Sequence, residues 1–321
     1  MDKKELSIVY LGTPDFAVEA LDRLVKGGYQ VVAVVTTPDK PVGRHQNHLR
    51  PSPVKEYALK NGLPLMQPVS LKDEDFLESL RALKADLQIV VAFRMLPEVV
   101  WAMPKYGTFN LHASLLPQYR GAAPINWSII NGETQTGITT FFLDKNMDTG
   151  EIIDQVTVNI AEEDDFGMLH DRLMTLGGDL VVKTVDRIID GSIKSQPQLV
   201  TEPAALKPAP KIFRETCRID WKRGLMHVYN LVRGLSPVPA AWTTMQTSTG
   251  EETVKIYKTK REEALHNLPI GQVVTDGRSF LKVALDGGYL HLLDLQLAGK
   301  KRMLVEDFLR GYKCPETMKM V

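Results

Sequence analysis

Through the first two hundred residues, short apolar runs alternate with stretches whose apolar positions recur every three or four residues. LSIVYLGT reads as a buried strand and TPDFAVEALDRLVKGG as a helix, with Thr13 as N-cap, Pro14 at its first position and Gly27-Gly28 as its stop. QVVAVVTT follows as a strand of β-branched residues. VKEYALKNG and DFLESLRALK have helical spacing, and DLQIVVAF and GTFNLHA read as strands. Strands and helices alternating at this spacing predict a doubly wound, mostly parallel α/β sheet. Such sheets bind ligands beyond the carboxyl ends of their strands. FNLH, residues 109 to 112, ends one of those strands.

A long helical pattern, FGMLHDRLMTLGGDLVVKTVDRIIDG, closes this region, and the texture then changes. SQPQLVTEPAALKPAPK, residues 195 to 211, is proline-spaced and without periodicity, as expected of a linker stiffened toward an extended form. WKRGLMHVYNLVRGL can form a helix. ETVKIYKT, GQVVTD, SFLKVAL and GGYLHLLDLQL are short alternating segments punctuated by glycine, which suits a small antiparallel barrel. The expected organisation is an α/β domain over 1–194, a linker over 195–211 and a barrel domain over 212–321.

Composition changes the picture in one respect. With 44% hydrophobic and 24% charged residues the chain is an ordinary globular one, and the net charge is zero. That zero conceals an asymmetry: residues 1–206 hold 20 Lys+Arg against 27 Asp+Glu, and residues 207–321 hold 19 against 12. A basic final third on an acidic body points to a polyanionic partner, nucleic acid or an acidic protein tail. No apolar run approaches the roughly 18 residues of a membrane span, and MDKKELSIVYLG is too short in its apolar part for a signal peptide. The 2 cysteines, Cys217 and Cys314, lie far apart and outside metal-type spacing, which fits a reducing cytoplasm.

FNLHASLLPQYRG carries the candidate chemistry. Asn110 and His112 are two apart on a predicted strand and share a face. An amide donor and an imidazole can together hold an oxyanion as a carbonyl becomes tetrahedral; the bland alternative is a histidine that caps the strand. In LDKNMDTGEII, Asp148 lies in a turn-rich loop where its carboxylate can orient His112 and favour its protonated form, or can serve as an Asx-turn residue. Ser114, Arg120 and Gly121 can bind substrate oxygens, with a surface role for Arg120 equally open. Neither G-x-G-x-x-G nor a Walker motif occurs, and no third ligand accompanies His and Asp at metal spacing. PDKPVGRHQNHLRPSP places Lys40, Arg44, His45, His48 and Arg50 in one polar loop of the acidic half. A solvated surface loop is one reading of it. With the basic C-terminal part, phosphate contact is the reading taken, and the absence of aromatics argues against base stacking there.

On these residues the chain resembles the methionyl-tRNA formyltransferases, a branch of the folate-dependent formyltransferases, along essentially its whole length. Asn110, His112 and, 36 residues later, Asp148 match that family's catalytic asparagine, histidine and aspartate, and SLLPQYRG matches its S-L-L-P-x-[YW]-R-G signature. GTPDFAVEAL, TTPDKPVG, PSPVK, QPVSL, KIFRETCRIDW and DLQLAGKKRMLVEDFL resemble the transfer-RNA branch in particular. Two stretches depart from the pattern. In VVAFRMLPEV one residue is missing and Arg94 replaces a glycine, and INWSI replaces I-Q-R-A, so Asn126 and Trp127 inherit nothing from that arginine.

The resemblance implies a Rossmann-like formyltransferase domain, an OB-like tRNA-binding barrel and a monomer that uses no metal. It implies 10-formyltetrahydrofolate as donor and the α-amine of initiator methionyl-tRNA as acceptor. Folate contacts are implied for Phe93, Leu96, Ser114, Leu115, Leu116, Pro117 and Asp144, and tRNA contacts for Lys40, Arg44, Arg50 and Lys211. Two rivals remain: a formyltransferase of amino-sugar nucleotides, and a catalytically silent RNA-binding protein built from such an enzyme.

Overall fold

A computed structural model describes residues 2–42, 48–200, 202–248, 250–312 and 318–321. Arg44, His45 and Cys314 lie outside the described residues. The chain divides into two compact units, and neither is one continuous span. The first comprises 1–124, 136–158 and 170–208; the second comprises 125–135, 159–169 and 209–321.

The first unit opens with β1 (Ser7–Gly12), α1 (Phe16–Lys26) and β2 (Gln30–Val35). The short strands β3 (Lys40–Val42) and β4 (His48–Arg50) pair with each other, and α2 (Pro53–Lys60), β5 (Leu65–Met66) and α3 (Glu74–Ala82) follow. Then come β6 (Leu87–Val91), α4 (Glu98–Trp101), β7 (Thr108–His112), β8 (Gln135–Phe142), β9 (Ile152–Asn159) and α6 (Phe166–Ile189), whose first residues belong to the second unit; α5 (Pro124–Ile130), between β7 and β8 in the chain, belongs to the second unit from Ile125 on. The main sheet runs β5-β2-β1-β6-β7-β8-β9. Its first five strands are parallel, and β8 runs antiparallel to β7.

Alternation explains why the sheet is covered on both faces. Val9, Leu11, Ala33, Val35 and Val90 pack on one side with Phe76, Leu77 and Leu80 of α3. Ile8, Tyr10, Val34 and Ile89 occupy the alternate positions and are equally buried. Strands buried on both faces read as continuous apolar runs, as SIVYL and LQIVV do. The start of α1 differs from the sequence expectation. Asp15, not Thr13, is the cap, its carboxylate accepting from the Phe16 N–H, while the Thr13 hydroxyl is buried without a partner among the described residues. An aspartate one residue from the apolar face supplies a stronger acceptor for the orphan amides than a threonine turned inward.

In the second unit a 3-10 turn, Trp221–Arg223, precedes α7 (Leu225–Leu235). Gly224 separates them at φ +80°, so the expected helix is broken where only glycine fits comfortably. The strands β10 (Ala241–Thr247), β11 (Gly250–Glu263), β12 (Val273–Thr275), β13 (Leu281–Leu285), β14 (Gly288–Leu297), β15 (Met303–Leu304) and β16 (Lys319–Met320), with helix α8 (Val305–Gly311), complete it. The order β12-β13-β14-β11-β10-β16 closes on itself through the bridge between Gln272 and Lys319. The result is a nearly closed antiparallel barrel of the OB-like kind. Its core gathers Trp221, Val228, Val232, Met245, Ile256, Val283, Leu290, Leu292, Leu295 and Phe308. Two register shifts in β11, between Ile256 and Thr259, change which positions face inward. Lys255, Lys258 and Lys260 are consequently all exposed although they do not share one alternation.

Candidate active site

Asn110 and His112 lie on β7, whose last residue is His112, beside the end of β6 at Val91. Strand geometry puts both side chains on one face. His112 is 6% exposed, with its ring edge-on to the fully buried Phe141 at 6.4 Å between centroids. Its Nε2 lies 2.9 Å from the Tyr119 carbonyl oxygen. A carbonyl only accepts, so Nε2 carries the proton that this contact needs. Nδ1 faces the Asp148 carboxylate, 4.0 Å from Oδ2. That distance exceeds a hydrogen bond, so Nδ1 and the carboxylate do not engage each other directly.

Asp148 arrives on the connection between β8 and β9. Its backbone is left-handed, φ +55°, a conformation that Asp and Asn tolerate better than other side chains. Oδ2 accepts from the Gly121 N–H at 2.9 Å, and Gly121 itself stands at φ +125°, which explains the Arg-Gly corner in the motif. Asp144 organises the same loop, its carboxylate accepting from the Asn146 N–H at 2.8 Å and the Thr149 hydroxyl at 2.7 Å. Gly150 closes it. A Cβ there would stand 1.7 Å from the Phe142 carbonyl oxygen. Gly150→Ala is therefore expected to cost at least about 2–3 kcal/mol of stability by forcing the loop off β8, as measured by chemical denaturation.

One atom points to a ligand. Asn110 Oδ1 is buried and has no hydrogen-bond partner among the described residues, although buried polar groups are nearly always paired. The amide can present its oxygen or, turned over, its NH2 to whatever occupies that space.

Residues expected to touch folate fall into two sets that meet at Leu143. Leu96, with Phe93 against it, belongs to the cluster beneath α3, and Leu116 packs with Phe141 and Ile152; Leu143 touches both clusters. Leu115 and Pro117 are half-buried. Ser114 is fully buried and its hydroxyl donates to the Gln118 carbonyl at 2.7 Å, so it shapes the turn from inside. Thr139 fixes the same segment, donating to the Ser114 carbonyl at 2.6 Å and accepting from the Leu116 N–H at 3.2 Å. In the segment that departs from the family pattern, Arg94 donates to the Val69 carbonyl at 2.8 Å and to that of Pro68, and burial lowers its pKa from the ordinary value.

Arg120 is already engaged: its guanidinium donates twice to Gln198 Oε1, at 3.1 and 2.6 Å. Gln198 and the Tyr119 carbonyl are not identifiable as site groups from sequence, because a backbone group leaves no signal and Gln198 sits in a stretch without periodicity; Gly121, expected to bind substrate oxygens, donates its N–H to Asp148 instead. Asn126 and Trp127 act within the second unit, donating to the carbonyls of Gly234 at 2.8 Å and Pro210 at 2.7 Å.

Lys40 and Arg50 are exposed and directly opposite on the β3–β4 ribbon. Lys211 is exposed in the second unit, its Nζ 5.6 Å from the Phe213 ring centroid. Among the described residues no helix is long and apolar enough to cross a membrane, and no cluster of three or more His, Cys, Asp or Glu is arranged to hold a metal ion.

Comparison with known proteins places the chain in a family. Residues 6–185 match the formyl transferase family, and residues 211–313 match the formyl transferase C-terminal domain. A methionyl-tRNA formyltransferase of Phocaeicola vulgatus is 61% identical over 323 residues, covering 100% of both chains. One from Bacteroides fragilis is 58% identical over 322 residues, covering 100% of this chain and 99% of the relative. Among solved structures, an N-formyltransferase from Helicobacter canadensis, in complex with folinic acid and dTDP-3-aminofucose, aligns with TM-score 0.64 at 21% identity, over 89% of this chain and 98% of that one. HypX from Aquifex aeolicus with tetrahydrofolic acid aligns with TM-score 0.61 at 17% identity, over 94% of this chain and 46% of that one. At such identities the solved structures speak to the fold alone.

Proposed function

This chain belongs to the formyl transferase family, and from that premise we propose that it transfers the formyl group of 10-formyltetrahydrofolate to the α-amine of methionyl initiator tRNA. The product is N-formylmethionyl-tRNA for translation initiation. The observation that carries the reading is the Asn110, His112 and Asp148 constellation, set in a chain that follows the methionyl-tRNA branch from end to end.

The Asn110 amide, whose Oδ1 is buried and unpartnered among the described residues, and the unshared Nδ1 of His112 fit a formyl donor, because a formyl carbonyl gains a negative oxygen when attacked. The neutral amine attacks the formyl carbon. The C=O π electrons move to oxygen, where the Asn110 NH2 and the protonated Nδ1 of His112 stabilise them. Asp148 balances the imidazolium charge and takes part in moving the amine proton toward the departing nitrogen of tetrahydrofolate. The oxyanion then collapses, the C–N bond to the folate breaks, and the formyl group stays on the amine.

On the folate side we place Phe93, Leu96, Ser114–Pro117 and Asp144, with the buried members supplying shape. On the RNA side we place Lys40, Arg50 and Lys211, with Arg44 between the two ribbon strands in sequence. The reading takes the enzyme as a monomer in the cytoplasm with no membrane partner. A formyl label supplied on 10-formyltetrahydrofolate and recovered as N-formylmethionine after deacylation tests the reaction; label that never leaves the folate overturns it.

The exposed cations predict a separate phenotype. Joint replacement of Lys40 and Arg50 by alanine is expected to raise KM for charged tRNA about tenfold at physiological salt, with kcat changed less than about twofold. The slope of log affinity against log salt should fall by about two, one for each phosphate that is no longer neutralised. An unchanged slope would remove these two residues from the RNA interface.

A further inference from the structure

Resting on the formyl-transfer reading, we infer that Gln198 is a positioning residue that sets Asp148 against His112. Its side chain makes four hydrogen bonds, all within the first unit. Nε2 donates to the carbonyl oxygens of Asp148 and Gly150, each at 2.9 Å, and Oε1 accepts both donations from Arg120. The arginine settles which end of the amide is oxygen, because guanidinium only donates. The NH2 is thereby directed at the carbonyls of the left-handed Asp148 and of Gly150, two residues on. No other side chain of this length donates to two carbonyls and accepts from a guanidinium at once.

The segment bearing Gln198 is tied at both ends to the catalytic pair. At one end Gln196 and Ile152 exchange backbone hydrogen bonds of 2.8 and 2.9 Å at the start of β9, just beyond the Asp148 loop. At the other, the Lys207 N–H donates to Gln118 Oε1 at 2.8 Å and the Lys207 carbonyl accepts from the Tyr119 N–H at 2.7 Å. Tyr119 supplies the carbonyl that orients His112. Residues 196–198 therefore hold the turn behind the aspartate, and Lys207 holds the peptide behind the histidine. The chain runs into the second unit at Ala209. The proline spacing of 195–211 in sequence suits this use, since a stiff segment loses less entropy when ordered than a flexible one.

The test is steady-state formyl transfer with charged initiator tRNA by wild type, Gln198→Met, Gln198→Glu, Arg120→Met, Asp148→Asn and the Asp148→Asn/Gln198→Met double variant. Methionine fills the same space without hydrogen bonds. Glutamate keeps the Arg120 partner but opposes the two carbonyls with a negative oxygen. Both are expected to lose at least about tenfold in kcat, with KM for folate and for tRNA within about threefold of wild type, and glutamate no less than methionine. Arg120→Met should lose several-fold by the same route without touching Gln198 itself. In the Asp148→Asn background, adding Gln198→Met should change kcat less than about twofold, because the residue acts through Asp148. Wild-type kcat in both Gln198 variants, or full multiplication of the two losses in the double variant, would overturn the inference. A wild-type protein that transfers formyl to no acceptor is a different result: it defeats the functional reading and takes this inference with it.

Discussion

Formyl transfer by a His112→Ala variant is expected to fall by about 10²–10³ in kcat, some 3–4 kcal/mol of barrier, with KM for charged tRNA moved less than about threefold. The imidazole is held from two sides, by the Tyr119 carbonyl at Nε2 and by the edge contact with Phe141, so Nδ1 is aimed before any substrate arrives. A donor fixed in advance costs no reorganisation when charge develops on the formyl oxygen. Because that charge exists only in the transition state, its loss appears in kcat and leaves ground-state binding nearly intact. Single-turnover quench experiments with saturating folate check this directly. A wild-type rate would remove His112 from the chemistry and leave it a strand-end cap.

Asp148→Asn is the second large effect, with an expected loss of about a hundredfold in kcat and little change in thermal midpoint. Asparagine tolerates the left-handed backbone at this position and still accepts from the Gly121 N–H, so the loop keeps its course. What disappears is the negative charge 4.0 Å from Nδ1. An amide in its place cannot balance an imidazolium, and stabilising that imidazolium is one role of an aspartate beside a catalytic histidine. Asp148→Ala is expected to lose more, because the loop then also loses its anchor on Gly121. Differential scanning calorimetry beside the kinetics separates the two contributions.

The sheet and the juxtaposition of Asn110 and His112 are legible in sequence for a common reason: both are written in side-chain spacing. SIVYL and LQIVV, short, rich in β-branched residues and apolar nearly throughout, read as strands buried on two faces, and N-L-H on a strand places two polar groups on one side. Spacing does not encode the rest. The register shifts in β11 that turn Lys255, Lys258 and Lys260 outward arise from pairing with β14, a non-local event. Asp15 takes the cap from Thr13 because the threonine hydroxyl is turned into the interior. Gln198 reads as linker in sequence because its partners, Asp148, Gly150 and Arg120, lie 48 to 78 residues away along the chain. Sequence leaves Arg120 open between ligand and surface roles, and only its pairing with Gln198 assigns it. The second unit recruits 125–135 and 159–169 from inside the α/β half, which no change of composition marks.

The acceptor is what separates formylation of methionyl-tRNA from formylation of an amino-sugar. Tetrahydrofolate release from 10-formyltetrahydrofolate, followed in parallel with charged initiator methionyl-tRNA, charged elongator methionyl-tRNA and a nucleotide amino-sugar, addresses it in one assay. Turnover with the initiator alone is the predicted result. Turnover with the sugar and with neither RNA would leave the chemistry of Asn110, His112 and Asp148 intact and contradict the assignment of the basic ribbon and barrel to tRNA.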